Sequence, residues 1–273
     1  MNIHVGASFT ESYYPKVAEY CFLESLNDME GVKKFVILFD VSTDFYSDLV
    51  AKFKNIKFVR TERSWYKLQE QLNLVACLQY GEFIDYVPDL KDDDYLFFVD
   101  ADMTVQRTFD VNERQVILEH PHHTLLQMNL HANETLREEL GMLGVGDVAR
   151  IESKFGDTSK LLCFNAGVIG QSPQRWRKAR DFYMANFPEW NKYIAHHAST
   201  QWFQSWMYQT QGFFLHKPMS DFVTGIHAHA HLWTSVRDFR IRKDDNGFVV
   251  RDTIAGPVPV IFAHSHFNRN GGL

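Results

Sequence analysis

Cysteine is scarce in this chain: Cys21, Cys77 and Cys163 are the three among 273 residues. They lie far apart in apolar surroundings, which argues against a disulfide framework and for buried free thiols. Long apolar runs are missing as well. No stretch approaches the roughly 18 apolar residues of a membrane-crossing helix. The opening Met1-Asn2-Ile3-His4-Val5 has no charged segment leading into an apolar run and a cleavage site. A soluble, cytoplasmic protein without a transmembrane segment is expected. Positive charge is in deficit: the formal net charge is −6 with histidine neutral, which argues against a general electrostatic grip on nucleic acid or anionic lipid. There is no internal repeat, low-complexity segment or interdomain linker, so one domain spanning residues 1–273 is expected.

What is present is ordinary globular sequence with a surplus of rings. The hydrophobic fraction of 45% and charged fraction of 23% are typical, and the aromatic fraction of 15% is high. Rings can stack on bases or sugar faces, but burial of apolar area dominates folding, so packing is the default for each. Strands are predicted over Ile3 to Ala7, Phe35 to Asp40 and Ile56 to Val59. Helices are predicted over Tyr14 to Leu26, from Phe45 behind a Ser42-Thr43-Asp44 cap, and from Trp65 to Tyr80. This alternation predicts an α/β fold with a mixed, mostly parallel central sheet. Residues 1–110 would form a nucleotide-binding half, and residues 111–273 would build the acceptor side. In that second half His120 to Leu130 is expected to return to the sheet, Glu134 to Leu140 to form a short helix, and Gly141 to Asp157 to be loop-rich. A strand over Leu161 to Ile169, a helix over Ser172 to Asn186 with Pro173 in its first turn, a helix over Thr200 to Gln211 and a strand over Val258 to Ala263 complete the order.

Tyr95-Leu96-Phe97-Phe98-Val99 reads as a strand buried on both faces, and it stops at Asp100-Ala101-Asp102. Open α/β sheets bind ligands beyond the carboxyl ends of their strands, where these carboxylates stand. Two carboxylates one residue apart can both reach a divalent cation from a tight loop, and hard oxygen ligands suit Mg²⁺ or Mn²⁺. Such a cation would bridge two phosphates and stabilise the charge that develops on a departing diphosphate. A solvated turn is the plain alternative. The denser Asp92-Asp93-Asp94 run precedes the strand and is expected to be a solvated loop.

The segment from Phe97 to Met103 resembles the Asp-x-Asp motif of GT-A glycosyltransferases. Phe164-Asn165-Ala166-Gly167-Val168 is similar to a motif of the retaining family that contains glycogenin and the bacterial lipooligosaccharide galactosyltransferases, with the blood-group transferases as more distant kin. The resemblance implies a GT-A fold, a nucleotide-diphosphate sugar as donor, most simply a UDP-sugar, and a donor-sugar pocket at Asn165, Ala166 and Gly167. Gly167 also permits close backbone approach, and Asn165 offers both a donor and an acceptor. In relatives a C-terminal His-Phe supplies a third metal ligand, which here falls on His264 or His266. The family's Lys-Pro-Trp is missing, and Arg269 is the candidate phosphate contact in its place. Aligned on its glutamine, His197-Ala198-Ser199-Thr200-Gln201 puts Gln201 beneath the anomeric carbon. An amide cannot act as a nucleophile there, which leaves same-face attack with the leaving phosphate as base. Ala7, Phe9 and Tyr13 or Tyr14 stand where relatives cradle the nucleobase, and Arg63 and Lys67 are candidates for a basic contact. The catalytic set is thus Asp102, Asn165 and Gln201.

His227, His229 and His231 alternate, so a strand would carry them on one face, either to hold zinc or to meet an acceptor. Trp202, Trp206 and Trp233 are candidate platforms for sugar or base, with core packing as the alternative. A glycan acceptor is expected, and a hydroxymethylated DNA base is the less favoured one. Two other classes stay open: a nucleotidyltransferase, although Gly6-Ala7-Ser8-Phe9-Thr10-Glu11 lacks a glycine-rich loop followed by basic residues, and a carbohydrate-binding protein without catalysis.

Overall fold

The structure is a computed structural model; it describes residues 1–62, 83–121, 124–128, 135–142, 147–194, 199–212, 227–229, 241–246, 249–253 and 256–264. The expected helix over Trp65 to Tyr80, and Arg63, Lys67, Cys77, His197, Ala198, His231, Trp233, His266 and Arg269, lie outside them.

The first half alternates as expected. Strand β1 (Ile3–Thr10) is followed by a 3₁₀ turn (Glu11–Tyr13), helices α1 (Tyr14–Glu19) and α2 (Phe22–Asp28), β2 (Lys33–Phe39), α3 (Thr43–Lys52), β3 (Lys57–Thr61), β4 (Tyr95–Val99) and β5 (Met103–Val105). Two expectations need correction. The first strand does not end at Ala7: it continues to Thr10 because Ser8, Phe9 and Thr10 go on pairing with Ile37, Leu38 and Phe39 of β2. The single helix over Tyr14 to Leu26 is two, broken where Cys21 takes a left-handed backbone conformation (φ 52°) that no continuous helix accommodates. The capping reading of Ser42 holds, its hydroxyl accepting the Phe45 N–H at 3.2 Å.

The second half runs α4 (Val111–Glu119), β6 (Leu125–Met128), α5 (Leu136–Met142), α6 (Val148–Phe155), β7 (Phe164–Gln171), α7 (Pro173–Asn191), α8 (Ser199–Thr210), and short strands β8 (His227–His229), β9 (Ile241–Lys243), β10 (Val249–Thr253), β11 (Gly256–Pro259) and β12 (Phe262–His264). The stretch expected to be loop-rich contains α6, started by the Asp147 side chain accepting the Arg150 N–H. The strand expected over Val258 to Ala263 is two short strands in different sheets.

The central sheet has six strands in the order β3-β2-β1-β4-β7-β6. Pairings β3–β2, β2–β1 and β1–β4 are parallel, and β7 is antiparallel to both β4 and β6. The architecture is therefore α/β around a mixed, mostly parallel sheet. Strand order reverses between β1 and β4, and that reversal opens a crevice at their carboxyl ends. Alternate residues feed two cores: Val5, Ala7, Phe9, Phe97 and Val99 join one with α2 and β12, while Leu96 and Phe98 join the other with Trp176, Trp190, Trp202 and Phe203. No helix among the described residues is long and apolar enough to cross a membrane.

Candidate active site

Asp100 and Asp102 stand at the carboxyl end of β4, beside the order reversal. Ala101 between them is buried, and both carboxylates are half-buried. The loop that carries them is fixed from both sides. On one side the Asp100 N–H donates to the Gly167 carbonyl at 2.8 Å. On the other, the Thr104 hydroxyl donates to the Tyr20 carbonyl at 2.7 Å and the Val105 N–H donates to the Ser25 hydroxyl at 3.0 Å, tying β5 to the helices that follow β1.

The bond from Asp100 to Gly167 follows from antiparallel pairing. Val99 lies opposite Val168, so the strand that rises to the acidic pair meets the beginning of the strand that carries Asn165, Ala166 and Gly167. Segments about 65 residues apart in sequence thereby share one edge of the crevice. A third segment arrives through a small sheet, β5-β12-β8, in which Met103 pairs with His264 and His264 with His229. The histidine expected near the strand end thus sits, by backbone register, one residue along from Asp102. His227 pairs with Phe262 in the same sheet. Among the described residues no three metal-ligating side chains form a cluster.

Tyr13 closes over the carboxylates. Burial of its hydroxyl end, the negative charges of Asp102 and Asp100, and a hydrogen bond to Asp102 push this phenol well above its ordinary range. Two anions held beside one hydroxyl make this the part of the cleft where a cation is favoured. The two adjacent tyrosines divide their roles. Tyr14 packs between Phe9, at 6.4 Å, and Phe45, at 5.0 Å between ring centroids, whereas Tyr13 is 37% exposed. Ala7 and Phe9 are buried side chains of the core. Ser8 is buried, and its hydroxyl has no hydrogen-bond partner among the described residues.

Helix α8 brings Gln201 to the other end of the Asn-Ala-Gly segment. The Ser205 hydroxyl donates to the Gln201 carbonyl at 2.8 Å and accepts the Phe164 N–H at 2.9 Å, and the Gln209 amide bonds both backbone groups of Leu162. Two residues offered as platforms are corrected here: Trp202 and Trp206 are buried in the aromatic cluster, and their indole N–H groups bond Glu139 and the Phe155 carbonyl. The acidic run is corrected too. Asp92 and Asp93 are exposed, but Asp94 is fully buried, bound by the Asn2 and Lys91 N–H groups at 2.7 and 3.1 Å and by His4 Nε2 at 2.9 Å.

No family model matches the chain, and no curated protein does. Among solved structures, mouse xyloside xylosyltransferase 1 in its apo form is similar at 12% identity over 85% of this chain and 89% of that one, with a TM-score of 0.49. The galactosyltransferase LgtC in complex with donor and acceptor sugar analogs is similar at 12% identity over 96% of this chain and 86% of that one, with a TM-score of 0.48. At these values the likeness concerns the course of the chain, and the site stands on its own geometry.

Proposed function

We propose that the protein is a metal-dependent glycosyltransferase of GT-A type, moving a sugar from a nucleotide-diphosphate donor to an acceptor hydroxyl. The observation that carries this reading is the convergence at one crevice edge: Asp100 bonded to Gly167, with His264 in register with Met103, the residue after Asp102. Half-buried carboxylates at a strand-order reversal fit a divalent cation, and their charges add to the burial that raises the Tyr13 phenol beside them. Asp100, Asp102 and His264 would hold Mn²⁺ or Mg²⁺, with His266 as the other histidine offered by the sequence. Bound there, the ion would neutralise charge on the departing diphosphate.

The chain's own residues do the rest. Ser8's buried hydroxyl is available to a polar group of the nucleotide, and burying it without a partner is otherwise unfavourable. Asn165, Ala166 and Gly167 line the donor sugar. Gln201 faces the anomeric carbon and supplies a dipole rather than a nucleophile, which favours same-face attack and retention. We assign a UDP-sugar as donor and a glycan hydroxyl as acceptor. The test is release of free UDP from a panel of UDP-sugars with and without Mn²⁺, with and without oligosaccharide. Metal-dependent release that Asp102→Asn abolishes supports the reading. Release that ignores both metal and Asp102 overturns it, and pyrophosphate formed from a nucleoside triphosphate and a sugar phosphate would move the protein to nucleotidyl transfer.

A further inference from the structure

Away from the crevice, a cavity of about 270 Å³ opens at the amino end of β1, with Ile3, Gly31, Val32, Lys33, Arg114 and Leu118 in its walls. Those walls are fixed by the fold itself. The turn that carries Gly31 is held by the Lys34 ammonium, which donates to the Asn27 and Met29 carbonyls at 2.7 Å each, and by the Thr108 hydroxyl, which donates to the Glu30 carbonyl at 2.6 Å. Helix α4 carries Arg114 and Leu118 one turn apart, and it starts in the Asp110 and Glu113 capping box that Arg107 grips. Arg114 lies directly against Gly31. A Cβ on that glycine would stand 1.9 Å from the guanidinium Nη1, and the glycine has φ 69°. Glycine alone leaves the guanidinium its seat.

The cavity gathers two cations in a chain whose net charge is −6. Among the described residues neither Arg114 nor Lys33 has a side-chain hydrogen-bond or ion-pair partner. The nearby acids are engaged elsewhere: Asp94 accepts from Asn2, Lys91 and His4, and Asp93 pairs with the Met1 amino group. We propose that this cavity is a second ligand site, which takes the phosphoryl group of a small phosphate ester. The planar guanidinium can meet two phosphoryl oxygens at once, and the Lys33 ammonium adds a point charge for another. Ile3, buried, and Val32 and Leu118, half-buried, offer an apolar wall to the organic part of the ester. The volume falls just below the roughly 300 Å³ at which small-molecule pockets begin, which suits a compact ester rather than a nucleotide. Ile3 pairs with Tyr95 at the opposite end of β4 from Asp100, roughly 17 Å away along the strand, so the site is separate from the crevice. The inference does not depend on the sugar-transfer reading.

The test is titration of the whole chain with phenyl phosphate and with inorganic phosphate, followed by calorimetry and by backbone amide resonances, with chloride holding the ionic strength constant. Phenyl phosphate should saturate and should shift the amides of Gly31, Val32 and Lys33 while leaving those of Asp100 and Ala101 in place. It should bind about threefold or more tightly than inorganic phosphate, because the apolar wall receives its ring. Arg114→Ala should weaken it by about tenfold or more, and Lys33→Ala by about threefold. Gly31→Ala is the sharper variant: it keeps both charges but fills the seat of the guanidinium, and a loss of about tenfold is expected. Should Gly31→Ala fail to fold, Arg114→Lys takes its place, since it keeps the charge and gives up the two-oxygen geometry; a loss of about threefold is expected. Binding that never saturates overturns the proposal, as does binding that survives Arg114→Ala. Amide shifts confined to the crevice, or inorganic phosphate bound as tightly as the ester, overturn it too.

Discussion

The two ends of β4 carry aspartates in opposite conditions. At its amino end Asp94 is fully buried and accepts from two backbone N–H groups, the Asn2 amide and His4. At its carboxyl end Asp100 and Asp102 are half-buried and crowd a tyrosine hydroxyl. Five apolar residues separate them. The first end is electrostatically closed and contributes stability, and the second accumulates negative charge and is suited to a cation. Residue type alone does not tell a structural acid from a working one, whereas the donors around it do.

The comparison breaks most sharply if activity and stability fail to separate. Asp102→Asn should lower metal-dependent turnover by about 10³-fold while moving the urea midpoint little. Asp94→Ala should do the reverse, leaving His4 buried without its partner and costing about 3 kcal/mol in denaturant unfolding, with turnover per folded molecule unchanged. Acidification separates the ends further. Burial, opposed by the Asp94 hydrogen bond, lowers the His4 pKa below 6.5, so neutral His4 belongs to the folded state. Stability is then fully present above 6.5 and is lost as pH falls below it. For Asp94, burial would raise the pKa, but the hydrogen bonds from Lys91, His4 and Asn2 outweigh it and hold the carboxyl at about 2. Its contribution is present above 3.8 and is lost as pH falls from 3.8 through about 2. Urea midpoints at pH 7 and pH 5 should therefore differ in the wild type and differ less in His4→Gln. The smallest effect is expected from Tyr13→Phe, about a threefold change in the metal concentration needed for half-maximal turnover, because one hydrogen bond to Asp102 is lost while both charges remain.

Much of the fold was legible where local pattern and burial agree. The run Tyr95 to Val99 is a strand with those same bounds because five consecutive apolar residues suit only a position covered on both faces. Asp110 and Glu113 form a reciprocal capping box at the start of α4, a spacing visible in the sequence, and Arg107 grips the Glu113 carboxylate with two bonds of 2.7 Å. Glycines around α6 made a helix look like a loop. Glu139 stands three residues after Leu136 and one before Leu140, on the buried side of α5, and an acid on an apolar helical face was the clue to it. The aromatic surplus went mainly into packing, as Trp202 and Trp206 demonstrate.

By itself the sequence determined the elements that periodicity and capping dictate, and the order of its motifs: an acidic pair after a buried strand, an Asn-Ala-Gly segment, a glutamine at a helix start, and a histidine near the end. It could not decide which of these meet. That was left to strand order and register, which put Val99 opposite Val168 and Met103 opposite His264. The reason is that pairing partners in a sheet are selected by burial and hydrogen bonding across the whole chain. The bond from Asp100 to Gly167 therefore exists only once distant segments have packed.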